Sequence, residues 1–258
     1  MGICSRQASR LCRPLRRCLR RASRLALDLL YPSFCPACAA PSSGGRPCPA
    51  CLGRLRSPRP PPCPRCGRSA GIAAEPGAVC PGCRERPWFG GRVAAPFLYS
   101  ETGGALVRAL KFRRDAGAGL FLGRAMARAA RAAGLPLGPQ ALLVPVPLHP
   151  RKLRRRGIHQ ALELARAVGA RTRTPVCEAL QRTRETQAQG LVGRGTRSAH
   201  VAGAFAPARP ARRGALLGRR AVLVDDVATS GSTARECRRV PRAGGAASVR
   251  PLAACPAG

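Results

Sequence analysis

The sequence predicts an α/β protein: a mainly parallel sheet with helices on both faces, preceded by a small domain that cannot build a hydrophobic core of its own. Three observations carry this. Beyond Trp88, short apolar runs alternate with stretches of helical periodicity, the order that builds parallel sheets. Between Tyr31 and Pro87 the composition is Pro, Gly, Cys and Arg with hardly any aliphatic periodicity, and four CxxC pairs stand there. Further on, AVLVDD at 221–226 sets two adjacent acids directly after a buried-looking apolar run, in a chain with only 11 acidic residues among 258.

A chain of 258 residues can bury one substantial core and carry a small satellite domain. The formal net charge is +35. Lys111 and Lys152 are the only lysines; the arginines sit in an Ala/Gly/Pro-rich background typical of GC-rich coding, which accounts for part of the charge. It does not account for the shortage of acids. Attraction to polyanions follows, whether phosphorylated metabolites, RNA or DNA, and composition does not choose among them.

Residues 1–30 form a basic leader, broken by arginines throughout, and no segment reaches the roughly 18 to 20 apolar residues of a membrane span. A helix turn is expected at Leu25–Leu30. No membrane insertion and a cytoplasmic location are the expectation.

Residues 31–87 form the second segment. Its pairs are Cys35/Cys38, Cys48/Cys51, Cys63/Cys66 and Cys80/Cys83, as in CPAC and CPRC. Each pair is a knuckle that aims two thiolates at one point. Four thiolates close a tetrahedral zinc shell, so eight make two sites, and the simplest pairing follows chain order: Cys35, Cys38, Cys48 and Cys51, then Cys63, Cys66, Cys80 and Cys83. Disulfides are disfavoured without a secretion signal, and a redox dithiol has no need of four copies. A closed tetrathiolate has no open position, which makes the zinc structural. The remaining cysteines, Cys177, Cys237 and Cys255 among them, read as ordinary thiols.

Residues 88–258 form the main domain. Arg92–Tyr99 reads as a strand, Gly104–Ala133 as one or two helices, Ala141–Pro147 as a second strand and Ile158–Val168 as a helix. Ala221–Val224 is a third strand, feeding a helix from Ser232 to Val240. The stretch 182–205 has no clear period and reads as a hood over the sheet.

Val222-Leu223-Val224 has the apolar, β-branched character of a central parallel strand, and ligands of open α/β sheets bind at the carboxyl ends of such strands. Asp225 and Asp226 are expected at that edge. Thr229-Ser230-Gly231-Ser232-Thr233 then offers hydroxyls, a turn-permitting glycine and the N–H groups of a helix start, which together suit a phosphate. Two carboxylates beside it can accept bonds from a ribose diol and hold Mg²⁺.

AVLVDDVATSGSTA resembles the phosphoribosyl-pyrophosphate (PRPP) signature of type I phosphoribosyltransferases, with Ser230 where a second Thr is usual. With the CPxC knuckles, ALKFRRD (109–115), VPVPLHPRKLRRRGIHQA (144–161) and RTRETQAQGLVGRGTRSAHVAGAF (182–205), it is similar to the ComF family. That family joins a double zinc ribbon to a phosphoribosyltransferase-like domain and is associated with competence and DNA uptake. His159 and His200 stand where the family has Asn, and Pro241 falls in the helix after the PRPP loop, where proline should end or kink it near Val240.

The resemblance implies displacement of pyrophosphate from C1 of PRPP by a nitrogenous acceptor. Asp225 and Asp226 would grip the ribose hydroxyls, residues Val227, Ala228, Thr229, Ser230, Gly231, Ser232 and Thr233 would line the 5′-phosphate loop, and Mg²⁺ would accompany the pyrophosphate. Lys111, Arg151, Lys152 and Arg156 would supply positive charge, with Arg156, fixed by RRG, counted beside the two acids as catalytic. His159 and His200 read as hydrogen-bonding residues rather than general acids or bases. An alternative expectation is a non-catalytic PRPP sensor or DNA-uptake accessory protein that engages single-stranded DNA or a helicase partner. Phe34 is nearly the lone aromatic of the zinc domain, so stacking on bases has little support there.

Overall fold

The computed structural model describes residues 33–58, 62–67, 69–71, 74–85, 92–184, 202–228 and 231–256. The leader 1–30, the central part of the hood with His200, and Thr229 and Ser230 lie outside the described residues.

The cysteine-rich segment holds two single-turn helices, α1 (Pro49–Gly53) and α2 (Pro81–Glu85). Each begins with the proline of a CPxC knuckle, where a missing N–H costs nothing. The main domain follows in the order α3 (Glu101–Phe112), α4 (Ala116–Ala132), β1 (Ala141–Pro145), α5 (Pro150–Arg156), α6 (Gln160–Thr172), β2 (Leu180–Arg182), β3 (Phe205–Pro207), α7 (Arg209–Arg212), β4 (Arg220–Ala228), α8 (Ser232–Ala243) and β5 (Ser248–Pro256). Strands β1, β4 and β5 form a parallel sheet in the order β1-β4-β5, while β2 and β3 pair antiparallel beside it.

Period-two alternation assigns the faces. Leu143, Val222, Val224 and Leu252 point into a core with α3, α4 and α6, through Leu106, Leu110, Leu122, Met126 and Leu164. Leu142, Val144, Ala221 and Leu223 point the other way, against Phe205 of β3 and Cys237 and Val240 of α8. Both faces are covered, so the paired stretches Leu142–Val144 and Ala221–Val224 are apolar throughout rather than alternating.

Side-chain caps start the helices. Ser100 accepts from the Gly103 N–H, Asp115 from Ala118, His149 from Arg151 and His159 from Leu162. Asp115, and the left-handed Arg114 before it at φ 54°, separate α3 from α4 within what reads as one periodic stretch.

Three sequence expectations change. Arg92–Tyr99 is no strand: Ala94 makes an isolated bridge to β5, accepting from Ala253 and donating to Pro251, and Tyr99 adds a single bond to the Pro256 carbonyl. Pro96 in the segment and Pro251 opposite it lack the N–H groups that would extend the ladder. Helix α8 runs through Pro241 to Ala243, because proline so near the end deletes one hydrogen bond and the turn closes on the Val240 and Pro241 carbonyls. Strand β4 does not stop at Val224 but continues through both acids to Ala228, held by β5 along its length.

Candidate functional site

In the cysteine-rich segment, the Sγ atoms of Cys35, Cys38, Cys48 and Cys51 lie within 4.8 Å of one another, as do those of Cys63, Cys66, Cys80 and Cys83. Cys38 and Cys48 are 3.7 Å apart and Cys66 and Cys80 3.6 Å. A tetrahedral zinc with Zn–S bonds of about 2.3 Å separates its sulfurs by about 3.8 Å, so both clusters fit the ion, in chain-order pairing. Backbone N–H groups support the thiolates: Cys48 donates to Cys35 Sγ and Cys80 to Cys63 Sγ. Burial pushes the Cys35 and Cys63 thiols up, but the N–H groups around each outweigh it and bring both down to about 6. Burial, with Cys80 beside it, pushes Cys83 up to about 11.

In the main domain, β4 outruns β1. The last bond on that side joins the Val146 N–H to the Val224 carbonyl, so from Asp225 onward, among the described residues, β4 pairs only with β5. The alternation that sorted the apolar side chains sorts the acids too. Asp226 follows Val222 and Val224 toward α3, where Lys111 Nζ meets its Oδ2 at 2.7 Å. Asp225 follows Leu223 toward α8.

Each carboxylate also folds onto the backbone, with Asp225 Oδ1 accepting from the Asp226 N–H and Asp226 Oδ1 from the Val227 N–H, both at 2.8 Å. Burial, and then the charge of Asp226, hold the Asp225 carboxyl well above the ordinary carboxylate value, against the opposing pull of Lys111. A narrow cavity of about 20 Å³ opens between Asp225, Val227, Ala228, Gly231 and Thr233. Gly231, at φ 77°, makes the left-handed turn into α8 and leaves Ser232 and Thr233 in its first turn.

The four residues Lys111 to Arg114 reach in different directions. Phe112 carries the Arg156 guanidinium over its ring at 5.7 Å, the Arg113 guanidinium donates to the Pro36 carbonyl in the first knuckle, and Arg114 Nε donates to the Arg156 carbonyl at 2.9 Å. Arg156 thus lies on the end of α3, one residue from Lys111. Arg151 and Lys152 sit on α5, Arg151 exposed and Lys152 half-buried. The half-buried His159 accepts the Leu162 N–H on Nδ1, and burial lowers its pKa, both of which suit a neutral capping ring. Sequence reading did not foresee Phe112 and Arg114 as neighbours of Arg156; four consecutive bulky residues ending a helix before a capping Asp are the signal available for it.

The two tetracysteine clusters and their knuckle backbone, joined to a parallel α/β domain with paired acids near the end of its central strand, define a zinc-ribbon protein with an α/β main domain. Residues 26–84 match the family model described as the double zinc ribbon domain. The DNA utilization protein YhgH of Salmonella typhi is 31% identical over 238 residues, covering 88% of this chain and 98% of that protein. Its counterpart in Escherichia coli K12 is 30% identical over 237 residues, with the same coverage. The chain belongs to the ComF family. A solved structure described as the allosteric regulatory enzyme of purine biosynthesis superposes on 54% of this chain and 26% of its own, with 21% identity and a TM-score of 0.35, a match too loose to bear on function.

Proposed function

We propose that this protein binds PRPP with Mg²⁺ at the Asp225–Asp226 edge and transfers its phosphoribosyl group to a nitrogenous acceptor. The observation that carries this reading is the placement of two carboxylates where β4 passes the end of β1, beside the left-handed Gly231 and the first turn of α8. The carboxylates would accept hydrogen bonds from the ribose diol, and the Ala228–Thr233 turn would take the 5′-phosphate on its N–H groups. Asp225, which carries no ion pair among the described residues, would be the acid nearer to Mg²⁺; the cation, bound with the diphosphate, supplies charge neutralisation to the leaving group. In the reaction the C1–O bond to pyrophosphate breaks and a bond from the acceptor nitrogen to C1 forms. The protein's share is positioning and electrostatics.

A second reading is favoured by the relatives' description as DNA utilization proteins. In it the pocket senses PRPP, while the arginine-rich surface, α5 included, engages single-stranded DNA or a helicase partner through phosphates, with affinity falling steeply as salt rises.

Thermal melting with millimolar Mg²⁺-PRPP tests the first reading at its root. A ligand at about 100 times its Kd adds about 2.7 kcal/mol. Wild type should therefore melt several degrees higher, and the Asp225→Asn/Asp226→Asn variant should fold yet show no shift. A wild type that does not respond refutes PRPP binding. A shift without pyrophosphate release across a panel of nucleobases and amines favours the sensor.

A further inference from the structure

We propose that the first zinc module positions the acidic pair, through a relay made of the turn Lys111–Arg114 in which Arg113 is the positioning residue. Its functional consequence rests on reading that pair as the phosphoribosyl site.

The relay starts inside the first knuckle. Pro36 lies between the zinc ligands Cys35 and Cys38, and its carbonyl takes the Arg113 guanidinium. Arg113 is also the C-cap of α3, its own N–H bonded to the Ala109 carbonyl. Two residues earlier, on the last turn of the same helix, Lys111 holds Asp226 Oδ2 at 2.7 Å. One rigid helical turn therefore has the zinc knuckle at one end of its contacts and the acidic pair at the other.

Neighbouring contacts leave this turn little freedom. Arg114 is forced into the left-handed region, unusual for a side chain of its size, and is held there by its bond to the Arg156 carbonyl. Gly157 makes room for it, since a Cβ there would stand 2.4 Å from the Arg114 guanidinium. On the other side of the junction, Gly45 of the zinc module presses its carbonyl against Gly117 in the first turn of α4, where a Cβ would come within 2.1 Å. Ala37, inside the knuckle, packs on the main core.

The second cluster has a different seat. Its Cys66 carbonyl accepts from Val93, and Gly67 abuts the same residue, at the sheet edge beyond β5. Among the described residues, no side-chain hydrogen bond or ion pair of Lys111–Arg114 reaches the second cluster; those contacts go to Asp226, Pro36 and Arg156. The relay thus predicts coupling to the first cluster and none to the second, and coupling between two sites runs equally in both directions.

The zinc-loaded full-length protein is exposed to N-ethylmaleimide with a chelator, and labelling is followed by peptide mass spectrometry at Cys38 and Cys48 and at Cys66 and Cys80. Asp226→Asn and Lys111→Met, which break the far end of the relay, should each label Cys38 and Cys48 at least three-fold faster than wild type, as should Arg113→Gln. Cys66 and Cys80 should keep their wild-type rates, and Lys111→Arg should restore wild-type rates at both clusters. Unchanged labelling of Cys38 and Cys48 in Asp226→Asn, or equal acceleration at both clusters, would overturn the relay. If Lys111→Met fails to fold, Asp226→Asn decides alone, since Asn can still accept the Val227 N–H. The melting response of wild type to PRPP is separate: its absence would remove the phosphoribosyl reading, while selective labelling of the first cluster would still establish the coupling.

Discussion

Replacing Lys111 with Met should destabilise the folded protein by about 2–3 kcal/mol at neutral pH. The ammonium and the Asp226 carboxylate are 2.7 Å apart, with 21% and 12% of their side chains exposed. At an effective dielectric constant of about 20, Coulomb's law gives an attraction of about 6 kcal/mol at that separation. Desolvation of both ions offsets much of it, which is why removing one partner of a fully buried pair costs about 3–5 kcal/mol rather than the whole attraction. Residual exposure lowers the figure here. Methionine keeps the aliphatic stem of lysine, so little packing is lost and the change reports the charge. Asp226 would then keep its charge next to Asp225 along the strand without a counter-ion.

Urea unfolding of wild type, Lys111→Met, Asp226→Asn and the double variant closes a cycle. Asp226→Asn should cost less than Lys111→Met, because it relieves repulsion with Asp225 and keeps the bond from the Val227 N–H. The double variant should be less destabilised than the sum of the singles by about 1.5 kcal/mol or more. In a chain of this size Lys111→Met should lower Tm by about 4–12 °C. Additive singles, with Lys111→Met costing under about 1 kcal/mol, would show that water screens the pair and that Lys111 does not hold Asp226.

Two further outcomes can be checked directly. Asp225→Asn should gain stability over wild type as pH rises from about 4 to 7: the unfolded carboxyl loses its proton near 3.8, the folded one only at higher pH, so ionisation costs wild type stability that the amide keeps; a difference that stays flat over that range in chemical denaturation would contradict it. Reduced, purified protein should carry two zinc ions per chain by native mass spectrometry, and Cys63→Ser should lose one of them while near-UV dichroism of the main domain persists; protein free of zinc would refute the two-site assignment.

Local chemistry made much of this legible from sequence. The CxxC spacing is a short-range pattern, and the chain-order pairing follows because each knuckle lies nearest its neighbour. Helices α3 and α4 were visible in the spacing of Leu106, Val107, Leu110, Leu120, Leu122 and Met126; all are buried in one core except Leu120, which is exposed on α4. What failed depended on partners distant in sequence. Whether Arg92–Tyr99 pairs, and how far β4 runs, is decided by β5, 28 positions beyond its partners in β4 and 158 beyond Ala94. The contacts of Lys111, Arg113 and Arg114 are likewise tertiary: in a chain so rich in arginine, nothing local distinguishes a guanidinium that clasps a carbonyl from one in water. The acidic pair was legible because carboxylates are scarce here, yet its division between two faces of one strand required the sheet.

Strand β5 has a consequence for how the molecule is made. Among the described residues it is the last element in chain order, residues 248–256, yet it flanks β4 from Arg220 to Ala228 and carries the Ala94 bridge on its other side. During synthesis, the sheet that shapes the acidic edge remains open until these residues clear the ribosomal exit tunnel. The eight zinc ligands fall between residues 35 and 83, so both clusters can capture metal while most of the main domain is still unmade. The nascent chain therefore assembles metal first and sheet last. A chain cut short before residue 248 and released would display a zinc-loaded N-terminal module joined to an unfinished domain, with β4 lacking its β5 neighbour and open to chaperones and proteases.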